Sequence, residues 1–233
     1  MTEQEFRSDL TIIESEVERA IESFFTYDEI GSLASNNEEI LKKLNANAPF
    51  WYTVLYALQC SFYISLGRVF DDNPDAHSIH KVVNACIAHP QFFSKETLTK
   101  RKMQSSESQN KHEKREPAWL KEYIAKAFEP RTQDLRELRR ALKKSRATYD
   151  AVCRDIRNKV FAHRERIDVE TISDLFSQSE VSEIKQILYS LHDLVSAIWE
   201  MYNNGRKPDL GKKQYDYANR ISTATNRLID SIQ

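Results

Sequence analysis

Seven consecutive residues, Arg157, Asn158, Lys159, Val160, Phe161, Ala162 and His163, hold the side chains best suited to chemistry in this 233-residue chain. A guanidinium is planar and always charged, so it grips phosphate oxygens in a fork. It can also stabilise the charge that builds on a pentacoordinate phosphorane. An imidazole, with an ordinary pKa of about 6.5, can take a proton from a ribose 2′-OH or return one to a leaving 5′-oxygen. The amide of Asn158 can orient the histidine or bind a phosphate oxygen. No metal ligand or cofactor is required for these steps. The nucleophile is the 2′-OH of the RNA itself, so DNA can be bound but not cut this way.

An arginine and a histidine at about this spacing meet by chance about once in a chain with 17 arginines and 6 histidines, so the pair alone says little. A small polar residue directly after the arginine narrows the match, and so does its position at the end of the longest regular pattern in the chain. Leu135, Leu138, Leu142, Ser145, Tyr149, Val152 and Ile156 recur at alternating steps of three and four. That is the spacing of a helix packed lengthwise on a neighbour. One residue along from this seam run Arg136, Arg139, Lys143, Arg146, Asp150, Cys153 and Arg157, a mostly basic ridge that a phosphate backbone can track. Arg139, Lys143, Arg146, Arg154 and Lys159 are therefore candidate RNA contacts, and Arg157, Asn158 and His163 the candidate catalytic set. On one ideal helix Arg157 and His163 sit about 120° and ~9 Å apart. A bend near Phe161, a long reach by the arginine, or a two-fold homodimer that joins two motifs in one cleft would bring them together; the dimer is the favoured arrangement.

The elements that must carry these residues read as helices throughout. With four glycines, six prolines and abundant helix formers, the composition predicts an all-α protein in a single domain over 1–233. One apolar face comprises Phe6, Leu10, Ile13, Val17, Ala20 and Phe24. The run Asn36-Asn37-Glu38-Glu39 offers a helix cap before Ile40, and Ser78 and Ser94 are further candidate caps. Residues 104–116 read as a flexible loop and 212–232 as a C-terminal helix. The uncharged stretch from Leu44 to Gly67 holds Asn45, Asn47, Pro49 and Gln59, which favours a buried central helix over a membrane span.

Charge is unevenly placed. Residues 1–50 carry seven more acids than bases, and residues 95–159 nine more bases than acids. A basic middle that leads into the motif fits a polyanionic partner. Three cysteines without CxxC spacing, and a start lacking a signal-peptide pattern, point to a reducing cytoplasm and no membrane. His77, His80, Cys86 and His89 have zinc-ligand types, but the spacing from His80 to Cys86 along a helix turns them apart, so no metal site is assigned.

With these residues in hand, the chain resembles the HEPN superfamily, in particular its abortive-infection U-type (AbiU-like) branch. The late phrase Arg157-Asn158-Lys159-Val160-Phe161-Ala162-His163, followed by Arg164-Glu165, is similar to that branch's motif. Leu66-Gly67-Arg68-Val69-Phe70-Asp71 is similar to its earlier phrase at the end of an aromatic-rich helix. Asn158 stands where the branch often has aspartate. The resemblance implies a helical bundle with additional helices, a dimer, and a metal-independent ribonuclease that leaves a 2′,3′-cyclic phosphate. It also implies a toxin or anti-phage effector restrained by an antitoxin or other regulatory partner. The rival readings are a HEPN module that binds RNA or protein without catalysis, and a helical interaction protein whose basic segment docks an acidic partner.

Overall fold

The computed structural model describes residues 1–109, 117–162, 169–177, 179–211 and 217–231. Every regular element among the described residues is helical. In chain order they are α1 (Glu3–Asn36), α2 (Glu38–Ala46), α3 (Ala48–Val69), α4 (Ile79–Ala88), a 3-10 turn (Pro90–Phe93), α5 (Lys95–Gln109), α6 (Ala118–Lys126) and α7 (Thr132–Val152). A single turn, α8 (Arg154–Ile156), and a π-helical turn (Arg157–Ala162) follow, then α9 (Val169–Ser177), α10 (Val181–Asn204) and α11 (Tyr217–Asp230). The fold is all-α, as the composition implied.

Local chemistry sets the helix boundaries. Asn37 Oδ1 accepts the N–H groups of Glu39 and Ile40 at 3.0 and 3.2 Å and so opens α2. Ser78 Oγ accepts from Lys81 N–H at the start of α4, and Ser94 Oγ from Thr97 N–H at the start of α5. Pro49 sits in the first turn of α3, where its missing N–H costs nothing. Gly205 closes α10 with φ of 56°, a left-handed conformation that a side chain would strain.

The periodic faces are buried as their spacing requires. The six apolar residues from Phe6 to Phe24 are at most 2% exposed, and the seven seam residues of α7 and α8, from Leu135 to Ile156, at most 8%. Such seams supply most of a helix's stability, because propensity alone is marginal.

The packing divides the chain into two compact units, where the sequence pattern leads to a single domain. The first comprises residues 1–14, 77–145 and 190–213. In it the Phe6 ring lies 5.6, 5.7 and 5.2 Å from those of Phe92, Phe93 and Tyr202. Arg101 lies 4.0 Å above the Tyr202 ring, donates to the Tyr202 and Phe92 carbonyls and pairs with Glu3. The second unit comprises residues 15–76, 146–189 and 214–233. Its aromatic core runs from Phe24 through Phe62 and Tyr63 to Phe161, with Tyr63 and Phe161 stacked at 5.0 Å. Ile30, Leu44, Trp51 and Ile229 form a smaller apolar cluster in the same unit.

Several expectations are corrected. Gln104 to Gln109 continue α5 instead of opening a loop, because nothing in that polar stretch breaks a helix; residues 110–116 lie outside the described residues. The C-terminal helix is described over Tyr217–Asp230, within the expected 212–232; residues 212–216 and 232–233 lie outside the described residues. α3 is not buried all round: Phe50, Tyr52 and Tyr56 in its first half are 61%, 75% and 57% exposed. Tyr56 still meets the Phe161 ring at 6.0 Å, but apolar composition alone does not bury a face. The α7 pattern also does not continue smoothly. The chain leaves the helix in a turn at Cys153, which is buried, so the inferred solvent-facing ridge is interrupted there. α9, which sequence reading did not mark, places Phe176 6.2 Å from Tyr63.

Burial separates two leucine substitutions. Leu138→Ala, at a fully buried seam position, should lower unfolding free energy by about 2–5 kcal/mol in urea titration. Leu228→Ala, at a position 59% exposed on α11, should change it by no more than about 0.5 kcal/mol.

Candidate functional site

The motif arginine lies in the second unit, where α3 ends and the chain turns. Gly67, Phe70, Asp71 and Asp72 from that end, Arg146 and Tyr149 from α7, Arg154, and Arg157 with Asn158 line a pocket of about 170 Å³. The two sequence phrases singled out above thus meet at one place, although about 85 residues of chain separate them.

A half-buried cation, Arg146, holds this place together. Arg146 Nε donates to both carboxylate oxygens of Asp150, at 2.8 and 2.9 Å. Its Nη1 donates to the Phe70 carbonyl at 2.7 Å and to Asp72 Oδ1 at 2.9 Å, and its Nη2 to Asp72 Oδ2 at 2.6 Å. Such bidentate geometry is the strong form of an ion pair. Burial by itself lowers the Arg146 pKa, but the hydrogen bonds and charges of Asp72 and Asp150 outweigh it and leave the group above its ordinary value. Beside it the rings of Phe70 and Tyr149 stack at 4.6 Å and 25°. Burial pushes the Tyr149 hydroxyl up to about 12, against the nearby positive charge of Arg157.

The other predicted residues take different places. Arg154 is part-exposed and also faces Asp72 and Asp150, at 3.2 and 3.3 Å. Lys159 pairs with Asp155 one turn back, at 2.8 Å. Arg139 and Lys143 belong to the first unit; Arg139 donates to Asn84 at 3.1 Å, and Lys143 is exposed. Of the RNA contacts proposed from the ridge, Arg146 is thus largely withdrawn into structure. Its side chain is 14% exposed.

Arg157 differs from the two arginines beside it. Its Nη1 donates to Asn158 Oδ1 at 2.8 Å, and among the described residues no carboxylate pairs with it. The amide orients the guanidinium without neutralising it, which a carboxylate at position 158 would do. Arg157 and Asn158 lie in the π-helical turn, a wider turn than the α-helix and one that recurs at functional sites. The turn packs Phe161 on Tyr63. His163 lies outside the described residues.

Sequence reading passed over Asp72 and Tyr149 as site residues. Asp72 reads as part of the turn Asp72-Asn73-Pro74-Asp75, and Asp71 indeed caps that turn through Asn73 N–H at 2.8 Å. Only the earlier phrase, ending in Phe70-Asp71, hinted at the neighbourhood. Of the residues with zinc-ligand types, His77 pairs with Asp9, Cys86 is fully buried, and His89 stacks on Phe92. Among the described residues no helix is long and apolar enough to cross a membrane.

A family model, HEPN_AbiU2 (AbiU2), matches residues 4–221. No curated protein and no solved structure matches the chain.

Two measurements test this geometry. Arg146→Ala should cost about 1–3 kcal/mol of stability, and Arg146→Lys should restore little of it, since an ammonium cannot replace the fork. The raised Tyr149 pKa has a sign that can be checked. The unfolded chain ionises first, so this contribution is complete below about pH 10 and is lost as pH rises towards about 12. Tyr149→Phe should remove that part of the alkaline loss, seen in midpoints of thermal unfolding across the range.

Proposed function

The chain belongs to the HEPN AbiU2 family, and we propose that it is a metal-independent endoribonuclease that acts as a toxin or defence effector. Family membership points to a nuclease or RNA-related role in abortive infection. The observation that carries the finer reading is Arg157: a guanidinium in a pocket, tethered by a neutral amide, next to arginines already satisfied by carboxylates. A cation in that state favours an incoming phosphate.

In the proposed reaction the RNA 2′-OH attacks the adjacent phosphorus as His163 takes its proton. The P–O5′ bond breaks, the leaving 5′-oxygen takes a proton back from the imidazolium or from water, and a 2′,3′-cyclic phosphate is formed. Arg157 stabilises the charge on the phosphoryl oxygens, and Asn158 fixes the arginine. Arg154 and Lys159 are secondary phosphate contacts that exchange a carboxylate partner for RNA. Arg139 and Lys143, in the first unit, are further candidate RNA contacts. A homodimer that joins two motifs in one cleft, and a partner protein that restrains the toxin, belong to the same reading.

Purified protein should cut RNA, leaving 2′,3′-cyclic phosphate and 5′-hydroxyl ends, at the same rate in EDTA. His163→Ala should abolish cleavage, and Arg157→Ala should slow it by about 10²–10³-fold. The corresponding DNA should be bound and left whole. RNA that is bound but never cut would instead identify a non-catalytic binding module.

A further inference from the structure

We infer that Gly67 is a positioning residue for the motif arginine: the guanidinium of Arg157 lies in the space that a side chain at position 67 would fill. Gly67 is buried in α3, close to that helix's C-terminal end. Its φ is not in the left-handed region, which among the described glycines holds only Gly205 and Gly211. The backbone therefore gives no reason for glycine here, and a glycine inside a helix is less stable than alanine.

The reason is space. A Cβ at position 67 would stand 2.4 Å from Arg157 Nε and 3.1 Å from both its Cδ and its Cζ. Those distances leave no room for the present rotamer. The nearest atoms belong to a flexible side chain and not to backbone, so an added methyl displaces the arginine before it displaces the helix. Arg157 Nε is buried in this contact and meets no acceptor among the described residues. Nη1 is held by Asn158 Oδ1 at 2.8 Å. The guanidinium is thus fixed on one side by the bare α3 backbone and on another by the amide.

The earlier phrase Leu66-Gly67-Arg68 then has a role in placing the later one. It makes the floor under the arginine of the later phrase. Gly67 touches no substrate and acts only through Arg157. The catalytic consequence rests on the ribonuclease reading, whereas the cradle itself is a matter of packing.

Two measurements on Gly67→Ala test the inference. The first is a thermal-unfolding cycle with Arg157→Ala, which needs no activity. Without the arginine side chain, Gly67→Ala should raise Tm by about 2–4 °C, the usual gain for alanine inside a helix. With Arg157 present that gain should vanish or reverse. An equal shift in both backgrounds overturns the inference, as does failure of the double variant to fold. If Gly67→Ala unfolds only when Arg157 is present, the cradle is supported. The second is RNA cleavage. For Gly67→Ala, kcat should fall about 100-fold while KM stays within about threefold, and the double variant should be no slower than Arg157→Ala. Wild-type kcat in Gly67→Ala overturns the inference. If the wild-type protein cuts no RNA, the ribonuclease reading fails, and the unfolding cycle still decides the cradle.

Discussion

The contacts of one guanidinium, Arg146, fix the frame on which everything at the site depends. It binds the carbonyl of Phe70 at the end of α3, the carboxylate of Asp72 in the following turn and that of Asp150 on its own helix. Two segments distant in sequence, the end of α3 with its following turn and the stretch from Arg146 to Asp150, are thereby joined by directional bonds, in addition to the Phe70–Tyr149 stack that seals them. An apolar seam can slide or re-pack at small cost, but a forked donor with fixed acceptors cannot. The aromatic contact supplies burial and the arginine supplies register. Together they set the distance between the end of α3 and the turn that carries Arg157.

The same network divides labour among cations that look alike in sequence. Arg146 and Arg154 share two carboxylates, so their charge is compensated locally. Among the described residues Arg157 is hydrogen-bonded only to an amide. A pocket in which every arginine were paired would offer a phosphate little beyond exchange of one anion for another. A pocket in which none were paired would be hard to fold, because three guanidinium groups would repel at close range. Among the described residues two are paired with carboxylates and one is not, which under the proposed reading gives a stable frame with an attractive point at Arg157. Asn158 matters here for its neutrality as much as for its hydrogen bond.

Much of the fold was legible because it follows local rules. The seven-residue seam of α7 and α8, the face of α1 and the caps at Asn37 and Ser78 depend on neighbours within a turn or two, and the structure places them where periodicity does. The site was legible only in part. Arg157 and Asn158 stand out by type and spacing, and so does the phrase ending in Asp71. The anchor Asp72 did not, since its partner lies 74 residues away and a turn explains an aspartate equally well. The ridge failed at Cys153 because its phase was extended at 3.6 residues per turn through a break and into a π-helical turn. The exposed face of Phe50, Tyr52 and Tyr56 was misjudged for another reason. Sequence reports how apolar a surface is, not whether anything covers it.

The central claim is that Arg157 receives a phosphate while Arg146 stays bound within the frame. The most direct measurement is a crystal structure with a short RNA carrying a 2′-deoxy nucleotide at the cleavage position, which can bind but not react. The expected result is a phosphate oxygen within hydrogen-bond distance of Arg157, with Arg146 still on Asp72, Asp150 and the Phe70 carbonyl. A phosphate seated on Arg146 with that clamp open, or a strand bound with no phosphate near Arg157, would contradict it.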